Sequence, residues 1–417
     1  MYGLVLQGGG TKGSYHIGVW KALRELGIEI GAVTGTSIGA LNGAFIAQNS
    51  FEEACAVWEN IAVGDVINTE PDVYKDLVNF KLDYDNIDKY FGYFKRILVD
   101  RGIDTSPLRD LIESHLDEDL LRKSGIDFGL VTISVSDMKP LEIFVEDIPE
   151  GKLSDYLLAS SFLPGFKPEE LDGKRFVDGG MYDNLPINLI AQKGYKDIIA
   201  VEMDSIGIKK KVKKDDLNII RISPSGDVGM MLQFDPELSK RNILMGYLDT
   251  LKVFGKYEGE NYFFEDLPTE SHFLDSMMEL TDAEILEMAK GMGLPIGQPK
   301  RMLFEKMIPE LATMFGLDGN CGYREIIVTL IEHLATILEI ERLKVYSYYE
   351  FEKLVLEKSS NRKKSAFNYL ELPDFLKRSH LIKYSLKDEI LIHWSKVLVE
   401  SYLKKLSETG TNSKTIE

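Results

Sequence analysis

The sequence is poor in cysteine, in long apolar runs and in basic residues, and each shortage excludes a class of protein. Its two cysteines, Cys55 and Cys321, lie far apart, each within a helical pattern. They can form neither a disulfide framework nor a cysteine metal site, and they are typical of a reducing compartment. No run approaches the roughly 18 apolar residues that a membrane-spanning helix requires.

The charge balance is strongly acidic, with 67 Asp and Glu against 49 Lys and Arg and a net charge of −18 over 417 residues. This balance argues against a nucleic-acid partner, because phosphate binding needs a basic face. The first residues also lack the basic region and apolar core of a signal peptide. We therefore expect a cytoplasmic protein whose membrane contact, where it occurs, is peripheral and from one side.

Ser37 stands between Gly35 and Gly39, in a setting typical of a nucleophile. Residues 31–34 read as a short strand, and residues 38–48 read as an Ala-rich helix. The pattern is the G-x-S-x-G elbow, in which a tight strand-to-helix turn exposes one serine hydroxyl. The glycines fit because a Cβ would clash in the crowded backbone of such a turn.

A glycine-rich loop follows the first predicted strand, residues 4–6, and precedes a predicted helix. Gly8, Gly10 and Gly13 match the G-x-G-x-x-G pattern of dinucleotide sites. The next strand, however, ends at Ser37 and not at the acidic residue that would bind a ribose. The bare N–H groups of such a loop can also form an oxyanion hole. A dinucleotide site, an oxyanion hole and a purely structural turn therefore all remain open at this point.

A third block, Asp178-Gly179-Gly180, follows a short predicted strand. Taken alone it indicates a turn and nothing more. The chain around it reads as a hairpin, a helix and further buried strands, predicted at residues 128–135, 141–145, 153–160, 198–203 and 217–222.

Together the glycine loop, the serine elbow and the Asp-Gly-Gly block resemble the patatin-like phospholipase family in both order and spacing. The resemblance covers roughly the first half of the chain, to about Asp204. It implies that Ser37 is the nucleophile and that Asp178 is its only catalytic partner. It further implies an oxyanion hole made of backbone N–H groups. The residues concerned are Gly9, Gly10 and Thr11 for the oxyanion hole, and Gly8, Gly13, Gly35, Gly39, Gly179 and Gly180 for the motifs.

The expected fold is α/β, a patatin-like three-layer sandwich with a mainly parallel sheet, followed by a helical domain. We place the catalytic domain at residues 1–225, with a helical insertion at about 51–125. Aromatic residues between 70 and 104 are interpreted as helical core of that insertion, with a cover over an apolar cleft as the alternative. Residues 226–417 form a mostly helical domain of unknown role.

The expected function is a lipid acyl hydrolase, either a phospholipase A-type enzyme or an acylglycerol esterase. It would act through a Ser–Asp dyad and an acyl-enzyme, without cofactor or metal. One competing mechanism is a Ser-His-Asp triad using His272 or His333. Competing functions are nucleotide binding by the glycine loop and a partner-binding scaffold with a vestigial dyad.

One short basic run, residues 209–214, interrupts the acidic sequence. We interpret it as a solvated loop, because Asp215 and Asp216 follow at once. The alternative is contact with anionic lipid. The oligomeric state cannot be read from the sequence.

Overall fold

The computed structural model describes residues 1–69, 74, 103–163, 166–167, 170–171, 173–291 and 294–361. The chain divides into two compact units, Met1–Phe254 and Gly255–Glu417. Most of the aromatic stretch of the predicted insertion lies outside the described residues.

A single mixed sheet forms the centre of the first unit. Its strands are β1 Tyr2–Leu6, β2 Ile30–Thr36, β3 Asp127–Ser134, β4 Lys139–Phe144, β5 Glu170–Leu171, β6 Lys174–Asp178, β7 Asp197–Val201 and β8 Asn218–Ile222. They are ordered β5-β6-β3-β2-β1-β7-β8, with β4 also paired to β3. The five strands from β3 through β2, β1 and β7 to β8 run parallel, whereas β4, β5 and β6 pair antiparallel.

Strand β3 brings the ends of two other strands together. It pairs with β4 along residues 129–134, so β4 occupies one edge throughout. Strand β2 pairs with β3 as far as Val131, and β6 begins its pairing at Thr132. Because a strand has only two edges, β2 and β6 must share the other edge, end to end. The last residue of β2, Thr36, and the last residue of β6, Asp178, therefore lie opposite consecutive residues of β3.

Helices cover both faces of this sheet. They are α1 Ser14–Glu25, α2 Ile38–Ala47, α3 Phe51–Asn60, α4 Ser106–His115, α5 Glu118–Lys123, α6 Leu153–Ser160, α7 Ile187–Gln192 and α8 Pro236–Val253. Helix α2 packs close to Val33 and Phe128, whereas α7 packs with Ala32 and Val5. Neighbouring residues of a strand point to opposite faces, so α2 and α7 lie on opposite sides. The predicted fold class is confirmed.

The second unit is mainly helical where it is described. Its helices are α9 Glu270–Met278, α10 Asp282–Gly291, α11 Pro299–Met302, α12 Ile308–Phe315, α13 Tyr323–Ile337 and α14 Tyr348–Asn361, with a π-helical turn at Leu303–Met307. Strands β9 Phe263–Phe264 and β10 Val345–Tyr346 form a small parallel pair. A capping box begins α10, because the Glu284 N–H donates to Thr281 Oγ1 and the Thr281 N–H donates to the Glu284 carboxylate.

The division between the units differs from the predicted boundary at residue 225, because α8 belongs to the first unit. Gly18 of α1 and Gly246 of α8 let the two helices touch backbone to backbone. A Cβ on Gly18 would lie 1.9 Å from the Ile243 carbonyl oxygen, and one on Gly246 would lie 2.2 Å from that of Tyr15. Among the described helices, none combines the length and apolar character that crossing a membrane demands.

Candidate active site

Ser37 occupies a strained turn between β2 and α2. Its φ of 55° and ψ of −126° lie in a region that side-chain-bearing residues seldom adopt. The flanking glycines are required by close backbone approach. A Cβ on Gly35 would lie 2.2 Å from the Gly39 carbonyl, and a Cβ on Gly39 would lie 2.2 Å from the Leu6 oxygen. The predicted strand–turn–helix around Ser37 is confirmed.

Ser160, at the end of α6, supports this turn from the side. Its hydroxyl accepts the Ser37 N–H at 2.9 Å and donates to the Val131 carbonyl at 2.7 Å. Val131 is the residue of β3 opposite Thr36. Ser160 therefore fixes the serine turn to the strand that also carries β6.

Asp178 ends β6 beside the serine turn and is only 4% exposed. One carboxylate oxygen, Oδ1, accepts the Gly180 N–H at 2.7 Å. The other, Oδ2, is buried, and no described residue makes a well-formed hydrogen bond to it. Gly179 permits the turn to press on β3, because a Cβ there would lie 2.2 Å from the Val131 oxygen. The carboxylate is thus held by one oxygen, while the other is available to accept a proton.

The pKa of Asp178 is set mainly by burial. Burial raises the pKa of its carboxyl group to about 6, while hydrogen bonding from the Gly180 N–H and the Ser37 hydroxyl lowers it by less. Thr36, which precedes Ser37, lies opposite Val131 of β3, and Asp178 lies opposite Thr132, so the serine turn and the carboxylate are neighbours. A carboxylate with this pKa is a better base than an ordinary aspartate, yet it is mostly ionised at pH 7.

The glycine loop lies beside the same site. Its start is fixed by Asn184, whose carbonyl accepts the Gly8 N–H at 3.1 Å and whose side-chain amide donates to the Gly8 oxygen at 3.2 Å. Among the described residues, no acceptor is bonded to the N–H groups of Gly9 and Gly10. The Thr11 N–H, by contrast, donates to the Met231 carbonyl at 2.9 Å. This differs from the sequence expectation, since an N–H already bonded to protein does not face a substrate oxyanion.

A cleft of about 880 Å³, including its open mouth, leads away from Ser37 and Gly10. One face of α2 lines it from Ser37 to Gln48, which at 1.5 Å per helical residue makes it roughly 16 Å long. Helices α3, α4 and α6 and several loop residues, among them Leu232 and Phe234, supply the other walls. The lining is mostly apolar: Leu41, Ala44, Phe45, Val57, Trp58, Leu108, Leu111, Ile112, Leu157, Leu232 and Phe234.

The two histidines of the first unit, His16 and His115, have contacts with groups other than Ser37. His16 is fully buried, and its Nδ1 lies 3.2 Å from the Asn42 amide. Burial lowers the pKa of His16 to about 3, so its imidazole stays neutral. His115 lines the cleft, and its Nδ1 contacts Glu53 at 2.7 Å. The two triad candidates, His272 and His333, lie on α9 and α13 of the second unit.

Three lysines of the basic run have side-chain partners within the first unit. Lys209 pairs with Glu202 at 2.8 Å, and Lys210 pairs with Glu142 at 3.3 Å. Lys214 donates to the Ala191 carbonyl at 2.7 Å. These contacts are typical of a loop packed against its own domain.

Three supporting contacts were not foreseen from the sequence. Ser160 and Asn184 lie in segments, Ala159–Pro164 and Asp183–Pro186, that resemble the family's connecting segments, so a signal existed. The contact of Met231 with the glycine loop had no sequence signal, because it joins residues far apart in the chain.

Comparison with known proteins supports the resemblance. Residues 4–191 match the family model described as patatin-like phospholipase. A patatin-like phospholipase domain-containing protein of Caenorhabditis elegans is 31% identical over 213 residues, which are 49% of this chain and 14% of that protein. Patatin-like phospholipase domain-containing protein 6 of Mus musculus is 30% identical over 206 residues, covering 48% of this chain and 13% of that protein. The predicted resemblance is confirmed for this segment.

A lysophospholipase and a solved structure were also matched. A lysophospholipase, NTE1, of Kluyveromyces lactis is 30% identical over 212 residues, covering 49% of this chain and 13% of that protein. The chain thus spans about a seventh or less of the length of these relatives. The crystal structure of VipD from Legionella pneumophila aligns over 100% of this chain and 88% of that one, at 15% identity and a TM-score of 0.41. That likeness is too weak to bear on the fold.

Proposed function

Taking the patatin-like phospholipase match of residues 4–191 as the premise, we propose that this protein hydrolyses carboxylic esters of lipids through Ser37 and Asp178. The substrate class is a glycerophospholipid, cleaved in a phospholipase A-type reaction, or an acylglycerol. The observation that carries the proposal is the position of Ser37, which opens onto an apolar cleft and lies next to the buried Asp178 at the adjoining ends of β2 and β6.

In the acylation half of the reaction, Ser37 Oγ attacks the ester carbonyl carbon as Asp178 Oδ2 takes its proton. The Gly9 and Gly10 N–H groups donate to the oxygen that becomes negative in the tetrahedral intermediate. The C–O bond to the alcohol then breaks, and Asp178 returns the proton to the leaving oxygen. The products are an acyl-serine and a lysophospholipid or partial glyceride.

In the second half, Asp178 deprotonates a water molecule that attacks the acyl-serine. The same N–H groups stabilise the second tetrahedral intermediate, and the fatty acid leaves as the proton returns to Ser37. No histidine is needed for orientation, because the Gly180 N–H already fixes one oxygen of Asp178. A raised pKa makes the carboxylate basic enough for both proton transfers.

The shape of the cleft supports an acyl chain as the group that is bound. Its length of roughly 16 Å along α2 matches a medium-length fatty acyl chain, and its lining is mostly apolar. Burial of methylene groups contributes about 0.8 kcal/mol each, so the cleft favours fatty esters over short ones. We place the enzyme in peripheral contact with one side of a membrane, where such esters are found.

The nucleotide-binding alternative finds less support. A dinucleotide would need the glycine loop to face open space. Instead, a Cβ on Gly8 would lie 2.3 Å from the Asn184 side chain, and one on Gly10 would lie 2.0 Å from the Met231 oxygen. The loop is packed against its own chain on these sides.

The test is labelling with a fluorophosphonate probe, wild type beside Ser37→Ala, with hydrolysis of a p-nitrophenyl ester and of phosphatidylcholine vesicles assayed in parallel. We expect the wild type to be labelled and active, and the variant to be neither. Equal labelling of both proteins would remove Ser37 as the nucleophile. A labelled wild type that releases no fatty acid from any ester would favour a vestigial site.

A further inference from the structure

Residues 225–234, called here the clamp segment, connect β8 to α8 and lie beyond the residues that match the family model. The clamp segment is tied to the glycine loop at Thr11. The Thr11 hydroxyl donates to the Met230 carbonyl at 2.7 Å, and the Thr11 N–H donates to the Met231 carbonyl at 2.9 Å. The hydroxyl also lies 3.3 Å from the Met231 carbonyl oxygen, so one residue of the loop is hydrogen-bonded to two successive carbonyls of the segment.

The contact also constrains the neighbouring glycine. Gly10 has a φ of 59°, in the left-handed region, and the Met231 carbonyl closes the space where its Cβ would stand. The direction of the Gly10 N–H depends on this backbone conformation. The clamp segment thus fixes one of the two N–H groups to which we assign oxyanion binding.

Asn242 of α8 anchors the middle of the clamp segment. Its side-chain amide donates to the Val228 carbonyl at 3.0 Å and lies 3.2 Å from Ser14 Oγ. Ser14 Oγ in turn donates to the Thr11 carbonyl at 3.0 Å. All three side chains are buried in full or nearly so. A closed chain of hydrogen bonds therefore joins the loop, α1, α8 and the clamp segment.

Asp249 anchors the start of the clamp segment. Its Oδ2 accepts the Ser225 N–H at 2.9 Å and the Tyr15 hydroxyl at 3.0 Å. Tyr15 belongs to α1, the helix that directly follows the glycine loop. The same two helices that touch through Gly18 and Gly246 are thus cross-linked by a buried carboxylate.

The far end of the clamp segment reaches the cleft, where Leu232 and Phe234 form part of the wall. From these contacts we infer that the clamp segment is a positioning element for the Gly9 and Gly10 N–H groups, and that Thr11 is the residue through which it acts. This inference rests on the proposed function, because it concerns how the oxyanion hole of that reaction is held.

The role of Thr11 has a kinetic signature. An oxyanion forms only on the way through the transition state, so misdirected N–H groups lower kcat and leave substrate binding nearly unchanged. A Thr11 that served only the stability of the fold would change the unfolding midpoint and leave the kcat of the folded protein as it was.

The experiment compares Thr11→Val with Thr11→Ser in the full chain, using a soluble p-nitrophenyl ester. Valine keeps the shape and loses the hydroxyl, whereas serine keeps the hydroxyl. For Thr11→Val we expect kcat to fall on the order of tenfold with KM within about twofold, since small misplacements of catalytic groups cost this much or more. For Thr11→Ser we expect kcat to return to within about threefold of the wild type, because the hydrogen bond to Met230 is restored.

Thr250→Val is the matched control. Thr250 is a buried threonine of α8 whose hydroxyl donates to the Gly246 carbonyl of its own helix at 2.7 Å. The same chemical change at this site should leave kcat unaltered. Thermal unfolding of each variant, monitored by circular dichroism, separates lost activity from lost fold.

Equal kcat values for Thr11→Val and Thr11→Ser would overturn the inference. A lower unfolding midpoint of Thr11→Val with an unchanged kcat would overturn it as well. If Thr11→Val does not fold, Asn242→Ala tests the same inference, because it removes the hydrogen bond that holds the clamp segment at Val228. There too we expect a reduced kcat at unchanged KM, and a wild-type kcat would overturn the inference. A wild type without Ser37-dependent turnover would instead refute the proposed function itself.

Discussion

Asp178 is subject to two opposing demands, since the protein must bury it and must also keep it charged. Its pKa is raised from 3.8 to about 6, so the folded state binds this proton more tightly than the unfolded chain does. Proton binding to Asp178 therefore stabilises the folded state in full below pH 3.8, and this stabilisation is lost as the pH rises through 6. The ionised form, which is the catalytic base, appears over the same range. The residue thus destabilises the fold at the pH at which it works.

This opposition predicts the behaviour of Asp178→Asn. We expect turnover to fall by about 10³-fold, because the amide cannot accept the Ser37 proton. We also expect the free energy of unfolding at pH 8 to increase by up to about 3 kcal/mol, since a buried charge is removed. The measurements are ester hydrolysis and urea unfolding at pH 5 and pH 8. In the wild type, single-turnover rates should rise with pH around a midpoint near 6.

Asp119→Asn provides the control, because Asp119 is an exposed carboxylate on α5. It should leave the rate of ester hydrolysis unchanged and the free energy of unfolding within about 0.5 kcal/mol of the wild type. Asp183, whose pKa burial also raises to about 6, remains in every variant and leaves a second pH-dependent contribution to stability. Retained turnover in Asp178→Asn would count against Asp178 as the base.

At the scale of the element, the sequence identified the strands and helices that carry the site but not how they meet. The segment ending at Ser37 and the hairpin at 128–145 followed from local patterns, and both are confirmed. The end-to-end placement of β2 and β6 along β3 depends on the pairing register, which no local pattern specifies. The same holds for the bond from Thr11 to Met231, which joins distant segments.

Helix α2 is also expected to set the acyl-chain preference. Ala44 lies two turns beyond Ser37 on the face that lines the cleft. Ala44→Leu should block the cleft part of the way along, so we expect kcat/KM for a palmitoyl ester to fall on the order of tenfold, while a butyryl ester changes by less than about twofold. Ala283→Leu, at an exposed site on α10, controls for the added side chain. A uniform loss for both esters would contradict this reading of the cleft.

At the scale of the whole molecule, helicity alone did not reveal to which domain α8 belongs. Its apolar and polar residues fit a helix in either domain, so the sequence placed it with the helical half that follows. The decisive features are Gly18 and Gly246, whose missing side chains let α1 and α8 touch. Taken singly, each glycine only lowers the helix propensity of its segment. The close contact of α1 with α8 becomes apparent only when the two glycines are seen together in the structure.

The position of α8 predicts how the chain tolerates truncation. A chain of residues 1–254 retains α8 and the clamp segment, so we expect a cooperative thermal transition and labelling by the fluorophosphonate probe. A chain of residues 1–225 exposes the face of α1 that α8 covers, including Tyr15. Each large apolar side chain left exposed costs about 1.5–3 kcal/mol, against a total stability of about 5–15 kcal/mol for a typical domain. We therefore expect the shorter chain to aggregate or to lack a cooperative transition. A folded, labelled 1–225 chain would show that α8 is dispensable and would restore the boundary predicted from the sequence.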